Sequence, residues 1–317
     1  MNIEIEKETA FTNDNEFISP KIDYAFKQMM NNKIALSSFL SAILKVDIND
    51  IKDIKYVDTH TLKEYEDDKY IVMDLRLILQ NEREIEIEMQ VMNFKYWTDR
   101  VLYYNCKMLT EQSKKGDEYG KFIQCISISI LNFNIFNQVQ YPNYYSSYHI
   151  REDKDSRIFN NLLEFHVLEL PKIPEESIDN NDLFIWAKFL NSSEKEEMKM
   201  LSNQNAGLKE AYKELISLSN DDVRRQIYNS RKKAIMDYNV QQRAAKEEGF
   251  EQGEAKGKLE GKIEGKIEGK IEGIKEGEIK GKIEIARNLL RKELEDSFIS
   301  EITGLSLEEI NQLKNEM

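Results

Sequence analysis

The chain is poor in the residues that make covalent or soft-metal cross-links. Its 317 residues include two cysteines, Cys106 and Cys125, and three histidines, His60, His149 and His166. Two thiols are too few for a disulfide framework or a zinc cluster, and histidines scattered singly argue against a transition-metal centre. Positive charge is also short: 45 Lys and Arg face 58 Asp and Glu, for a net charge of -13. No global basic field draws the protein to nucleic acid, so any DNA contact must rest on a local patch. No apolar run approaches the ~18 residues of a spanning helix, and no secretory pattern opens the chain. The expectation is a cytoplasmic protein with no membrane partner.

What the sequence does hold is a stretch of two-residue alternation, Tyr70–Met92. Ile71, Met73, Leu75, Leu77 and Leu79 share one face of a strand, and Val72, Asp74, Arg76 and Ile78 share the other. After Gln80-Asn81-Glu82, Ile85, Ile87, Met89 and Val91 share a face, opposite Glu84, Glu86, Glu88 and Gln90. A period of two marks strands, and the short polar break predicts an antiparallel hairpin. Parity fixes the register, because a slip by one residue would bury the charged face. A three-residue loop sets Leu79 opposite Arg83 and Leu75 opposite Ile87. On the other face it predicts an Arg76–Glu86 ion pair and places Asp74 directly opposite Glu88. Facing like charges repel, and a divalent cation bound between two carboxylates would relieve this. Alternation alone would make the Glu84/Glu86/Glu88 face a solvated strand surface.

Asp74, the turn and Ile87-Glu88-Met89-Gln90 resemble the core of the PD-(D/E)XK nucleases. More narrowly they are similar to the recombination-promoting nuclease/transposase (Rpn) family, where the motif lysine is commonly glutamine. The likeness runs from about Ser19 into the tail and takes in Asp23-Tyr24-Ala25-Phe26-Lys27, Gly116-Asp117-Glu118-Tyr119 and a tail with glycine at every fourth residue. It implies an α/β fold, a PD-(D/E)XK (restriction-endonuclease-like) core of a mixed sheet flanked by helices. An all-α C-terminal region with a long glycine-repeat tail would follow. It implies a Mg²⁺-dependent DNA endonuclease in which Asp74 and Glu88 hold the metal and the Met89 carbonyl completes the shell. Asp74, Glu88 and Gln90 would form the catalytic set, with Asp23 as an added acidic group. Lys27 and Arg100 would contact the DNA phosphates. Gln90 is a departure from the wider pattern, because an amide cannot accept a proton or offer positive charge. The alternative is a nuclease fold that has lost its chemistry and serves in binding or assembly through its tail.

The remaining elements follow in order. Residues 1–18 form a polar N-terminus, 19–180 the nuclease-like domain, 181–248 a helical region, 249–283 the repeat tail and 284–317 short terminal helices. Ser19-Pro20 reads as a helix start, with Asp23 and Lys27 adjacent at i, i+4. A helix over Asn32–Lys45 would bury Ile34, Leu36, Phe39, Leu40 and Leu44, and a strand follows at Ile51–Val57. Tyr96–Lys115 has helical spacing, with Gly116 as its cap. Phe122–Phe133 is an apolar run suited to a strand buried on both faces. His149 and His166 read as strand-surface residues in further strands. Beyond Asn181 the pattern is helical, with one helix over Asp221–Glu248.

Nine glycines from Gly249 to Gly281 keep strict four-residue spacing. On a helix they form a stripe drifting about 40° per repeat, each costing about 1 kcal/mol against alanine. The repeat is therefore either a spacer or a surface for homo-oligomer formation. Two short helices around Gly304 resemble a helix-turn-helix. Glu308 and Glu309 on the second would repel phosphate, so protein contact or capping of the tail is expected there.

Overall fold

A computed structural model describes residues 17–59, 73–80, 82–93, 95–113, 116–176 and 181–317. The chain divides into two compact units between Asn239 and Val240. The expected strand residues Tyr70, Ile71 and Val72, the turn residue Asn81 and His60 lie outside the described residues.

In the first unit, six strands among the described residues make one mixed sheet. They are β1 (Ile54–Tyr56), β2 (Leu75–Leu79), β3 (Arg83–Gln90), β4 (Gln124–Leu131), β5 (Tyr145–His149) and β6 (Leu163–Glu169). Their order is β1-β2-β3-β4-β6-β5, antiparallel at both edges and parallel across β3, β4 and β6. Parallel neighbours need a crossover, and helix α3 (Trp97–Glu111) supplies it between β3 and β4. The hairpin register is the one parity demands, with Leu79 opposite Arg83, Arg76 opposite Glu86 and Leu75 opposite Ile87.

Each sheet face has its own cover. Ile85, Ile87 and Met89 of β3 and Ile126, Ile128 and Ile130 of β4 enter the main core. There they meet α1 (Asp23–Met30), α2 (Lys33–Leu44), α4 (Asp182–Asn191), α5 (Lys195–Ser202) and α6 (Ala206–Asn220). Phe26, Phe39, Trp186 and Phe189 are fully buried there. Trp186 satisfies its indole N–H on Ser38 Oγ at 3.2 Å, which answers the need of a buried donor. Gly207 lets α6 come against α2, since a Cβ on it would overlap Ser38. The opposite sheet face packs on α3 through Trp97, Val101 and Met108. Ser127 and Ser129 are buried on that side of β4.

Several boundaries differ from expectation. Helix α1 starts at Asp23, because Ser19 Oγ accepts from Lys21 N at 3.3 Å and so forms a turn instead of a helix cap. Helix α3 ends at Glu111, and Gly116, with φ of 98°, sits beyond its end. Ile34 is 54% exposed, since the Asn32 cap places it on the outer side of the first turn. Helix α7 runs unbroken from Asp222 to Leu290, so the repeat is helical in continuation of the preceding segment.

The second unit contains the later part of α7 with α8 (Asp296–Thr303) and α9 (Leu307–Asn315). Ala286, Ile299, Leu305, Ile310 and Leu313 form its small core. Gly304 takes the left-handed conformation, φ 68°, that ends α8, a conformation glycine adopts without a Cβ penalty. Ser306 and Glu309 form a capping box at the start of α9. Glu309 thus serves the helix N-terminus, and burial plays no part in lowering its pKa: bonds to the Ser306 backbone and hydroxyl do so.

Candidate active site

The acidic face of β3 is buried under α3, and each of its carboxylates is handled differently. Glu84 pairs with Arg76, which is itself only 6% exposed, at 2.6 Å. Arg76 also reaches Glu111 at 2.8 Å, and Gln112 donates to Glu84 Oε2 at 2.9 Å. This corrects the expected Arg76–Glu86 ion pair. The two residues are opposite in register, but Glu111 at the end of α3 draws the guanidinium toward Glu84.

Glu86 is fully buried, and neither of its oxygens has a hydrogen-bond partner among the described residues. Burial pushes its carboxyl up to about 7; Ser127 on β4 and the Arg100 charge oppose the rise, and the Asp74 charge adds to it. Ser127 stands next to Glu86 in register without a well-formed hydrogen bond to either oxygen.

Glu88 is held by Arg100 of α3 through Oε1, while its Oε2 is buried without a partner among the described residues. The same guanidinium donates to Gln90 Oε1 at 3.3 Å and lies over the Tyr104 ring at 5.2 Å. Gln90 in turn donates to the Met92 carbonyl at 2.8 Å. Arg100, expected on a phosphate, is thus engaged in clamping Glu88 and Gln90.

Asp74 does not pair with Glu88 as a ladder partner. The ladder stops at Leu75–Ile87, and Asp74 occupies a bend just before β2. Its carboxylate is nevertheless fixed against β3, because Oδ2 accepts from Met89 N at 3.2 Å. Oδ1 receives Lys27 Nζ at 2.8 Å. Lys27 has therefore turned to Asp74, and its i, i+4 neighbour Asp23 keeps a buried Oδ1 without a hydrogen bond among the described residues. Asp23, Asp74, Glu88 and Gln90 all line one cleft of about 330 Å³.

The remaining wall comes from α7, through Arg231, Ala234, Ile235 and Tyr238. Sequence reasoning missed these residues. Their only signal was the i, i+3, i+4, i+7 spacing that puts them on one helix face.

His166 is 3% exposed, which corrects its placement on the strand surface. Its Nδ1 is 2.8 Å from the Tyr145 hydroxyl, and its Nε2 lies 2.9 Å from Glu164 Oε1, out of line for a hydrogen bond. His149 is 3.5 Å from the same oxygen. This cluster stabilises the β5–β6 edge, where His149 and Glu164 face one another in register.

The donors at the cleft suit a hard cation. They are carboxylate oxygens, and buried Glu88 Oε2 and Asp23 Oδ1 lack hydrogen-bond partners among the described residues. Each oxygen that already accepts one bond has a second lone pair. Among the described residues no three His, Cys, Asp or Glu gather as a ligand set. A pair of carboxylates is what magnesium uses when it keeps most of its waters.

A family model described as PD-(D/E)XK nuclease family transposase matches residues 20–245. A second, described as the C-terminal HTH domain of the Rpn/YhgA-like nuclease family, matches residues 280–315. The second match assigns the terminal helices to a helix-turn-helix domain, beyond the protein contact or tail capping expected of them. Glu309 had argued against a helix-turn-helix, but it is used in the capping box. None of the curated proteins or solved structures compared with the chain matches it. With the first match covering more than half of its length, the chain belongs to the Rpn family of PD-(D/E)XK nucleases.

Proposed function

We propose that the protein is a metal-dependent DNA endonuclease that hydrolyses phosphodiester bonds, with Asp74 and Glu88 as ligands of Mg²⁺. The observation that carries this reading is their convergence on one cleft, where a buried oxygen of Glu88 has no partner among the described residues. A divalent cation held there would lower the pKa of an attacking water and offset charge developing on the phosphate. The chain's own groups prepare the site. Met89 N and Lys27 fix Asp74, and Arg100 fixes Glu88. Gln90 cannot take a proton; bonded to Arg100 and Met92, it orients the clamp. Asp23 adds a further oxygen at the rim.

The test is thermal. A ligand bound to the folded state alone raises Tm, so Mg²⁺ added to chelator-treated protein should raise it. Asp74→Ala and Glu88→Ala should each abolish the shift while keeping a cooperative transition. An equal shift in all three proteins removes the metal assignment.

Assembly through the repeat helix is a second reading, and one feature of α7 supports it. Ile263, Ile267, Ile271 and Ile274 are each about half exposed, and they fall within about 80° of arc on a helix. Glu264 and Glu268 flank this row on one side, Lys266 and Lys270 on the other. A second copy packed in parallel would bring each glutamate flank against a lysine flank. The partner in this reading is another copy of the chain, and the contact row is isoleucine. The glycines lie largely on the other side of the helix, with open space about each of those in the repeat.

A further inference from the structure

The cleft has a shortage of available positive charge. Asp23, Asp74 and Glu88 line it, and a nucleic-acid strand brings one negative charge per phosphate. Lys27 is committed to Asp74, and Arg100 to Glu88 and Gln90. Gln90 stands where the wider motif has a lysine, so no cation comes from that position.

One cationic side chain on the cleft wall is differently placed. Arg231 of α7 is exposed, lines the cleft, and makes no hydrogen bond or ion pair among the described residues. Its backbone is well anchored. Three residues earlier Tyr228 is 4% exposed and its hydroxyl accepts from Ser19 N at 3.0 Å. Four residues later Ile235 packs against the main core. One turn before Tyr228, Arg224 donates to Gln28 of α1 at 3.1 Å. An arginine on a fixed helix, lining a cleft of carboxylates yet paired with none of them among the described residues, suits an anionic ligand. Its planar fork matches phosphate oxygens bidentately.

We propose that Arg231 binds a backbone phosphate of the nucleic acid, supplying from α7 the positive charge that Gln90 does not. Tyr238, two turns along the same face, presents a hydroxyl and a ring to the adjoining nucleotide. The inference rests on the nuclease reading for its substrate class, and binding can be measured apart from cleavage.

The experiment uses the full chain and a fluorescent DNA duplex in chelator, with affinity measured against salt concentration. Wild type, Arg231→Ala, Arg231→Lys and the control Lys199→Ala, an exposed α5 cation away from the cleft, are compared. With one charge-assisted hydrogen bond to phosphate removed, Arg231→Ala should weaken binding by roughly 10-fold or more. Removing one phosphate contact should also reduce the slope of log K against log salt by about 1. Arg231→Lys should keep the wild-type slope, and Lys199→Ala should leave both quantities unchanged. Equal slopes for wild type and Arg231→Ala overturn the proposal, as does an absence of DNA binding by the wild type. Plasmid nicking separates the two readings. A wild type that nicks, with Arg231→Ala matching it in kcat/KM and slope, removes Arg231 and leaves the nuclease. A wild type inert with every divalent metal, yet losing slope in Arg231→Ala, removes the nuclease and leaves the phosphate contact.

Discussion

Three glutamates on one strand face pose the same electrostatic problem three times, and their neighbours decide the outcome. Glu84 is paid back by Arg76 and Gln112 and Glu88 by Arg100, while burial pushes the Glu86 carboxyl up to about 7. Removing one partner of a poorly exposed charge leaves the other uncompensated. Arg100→Ala should therefore destabilise the chelator-treated protein by about 2–4 kcal/mol in urea denaturation. Mg²⁺ should restore part of that loss, since a bound cation can replace the guanidinium beside Glu88; an identical loss with and without Mg²⁺ would contradict the shared site. Glu164 makes the opposite kind of prediction. The His166 contact does most to hold its carboxyl below the usual range, burial opposes, and His149 and Gln124 assist. Its folded pKa lies below the unfolded value, so its stabilisation is present above that value and is lost as pH falls through the folded pKa. Glu164→Gln should lower Tm at pH 7 and flatten its decline below about pH 4.5. Unchanged acid dependence would detach Glu164 from that decline. The sequence could place Glu84, Glu86 and Glu88 on one face, because alternation is local. It could not show that α3 would bury that face, since this depends on packing across residues far apart in the chain.

At the scale of elements, the hairpin was the most readable part. One residue of slip would have reversed every side chain of β3, so its register followed from the pattern alone. The β4 run was equally plain, because a strand buried on both faces needs no alternation. Starts and stops were harder. Ser19 offered a cap-like hydroxyl that is spent in a turn, and Gly116 offered a helix end four residues beyond the actual C-cap, Gln112. The cleft wall on α7 was hidden for another reason: it depends on how a helix some 140 residues after Glu88 folds back on the sheet, a distance over which periodicity says nothing. The repeat helix carries its own prediction. Replacing Ile267 and Ile271 with Lys should reduce self-association in light scattering, while Gly261, Gly265 and Gly269 changed together to Ala should raise helix content without reducing it. The reverse pattern would move the contact to the glycine stripe. A wild type that stays monomeric at all accessible concentrations would leave the repeat as a spacer.

At the scale of the whole molecule, a nuclease-type unit and a helix-turn-helix unit occur in one acidic chain. Net charge of -13 means that DNA affinity must be local, which sharpens the meaning of every cation at the cleft. Family membership was readable from Asp74, Glu88, Gln90 and the tail. The division of labour among Lys27, Arg100 and Arg231 was not, since which cation meets which carboxylate is a property of the assembled site. The central claim is that Asp74 and Glu88 together support metal-dependent phosphodiester hydrolysis. Its most direct test is the nicking of supercoiled plasmid by wild type, Asp74→Ala and Glu88→Ala, each with Mg²⁺, with Ca²⁺ and with chelator. The account predicts nicking by wild type with Mg²⁺, none with chelator, and a loss of at least roughly 100-fold in both variants, as for removal of a main electrostatic contributor to a transition state. Undiminished nicking by either variant, or equal nicking in chelator, would contradict it.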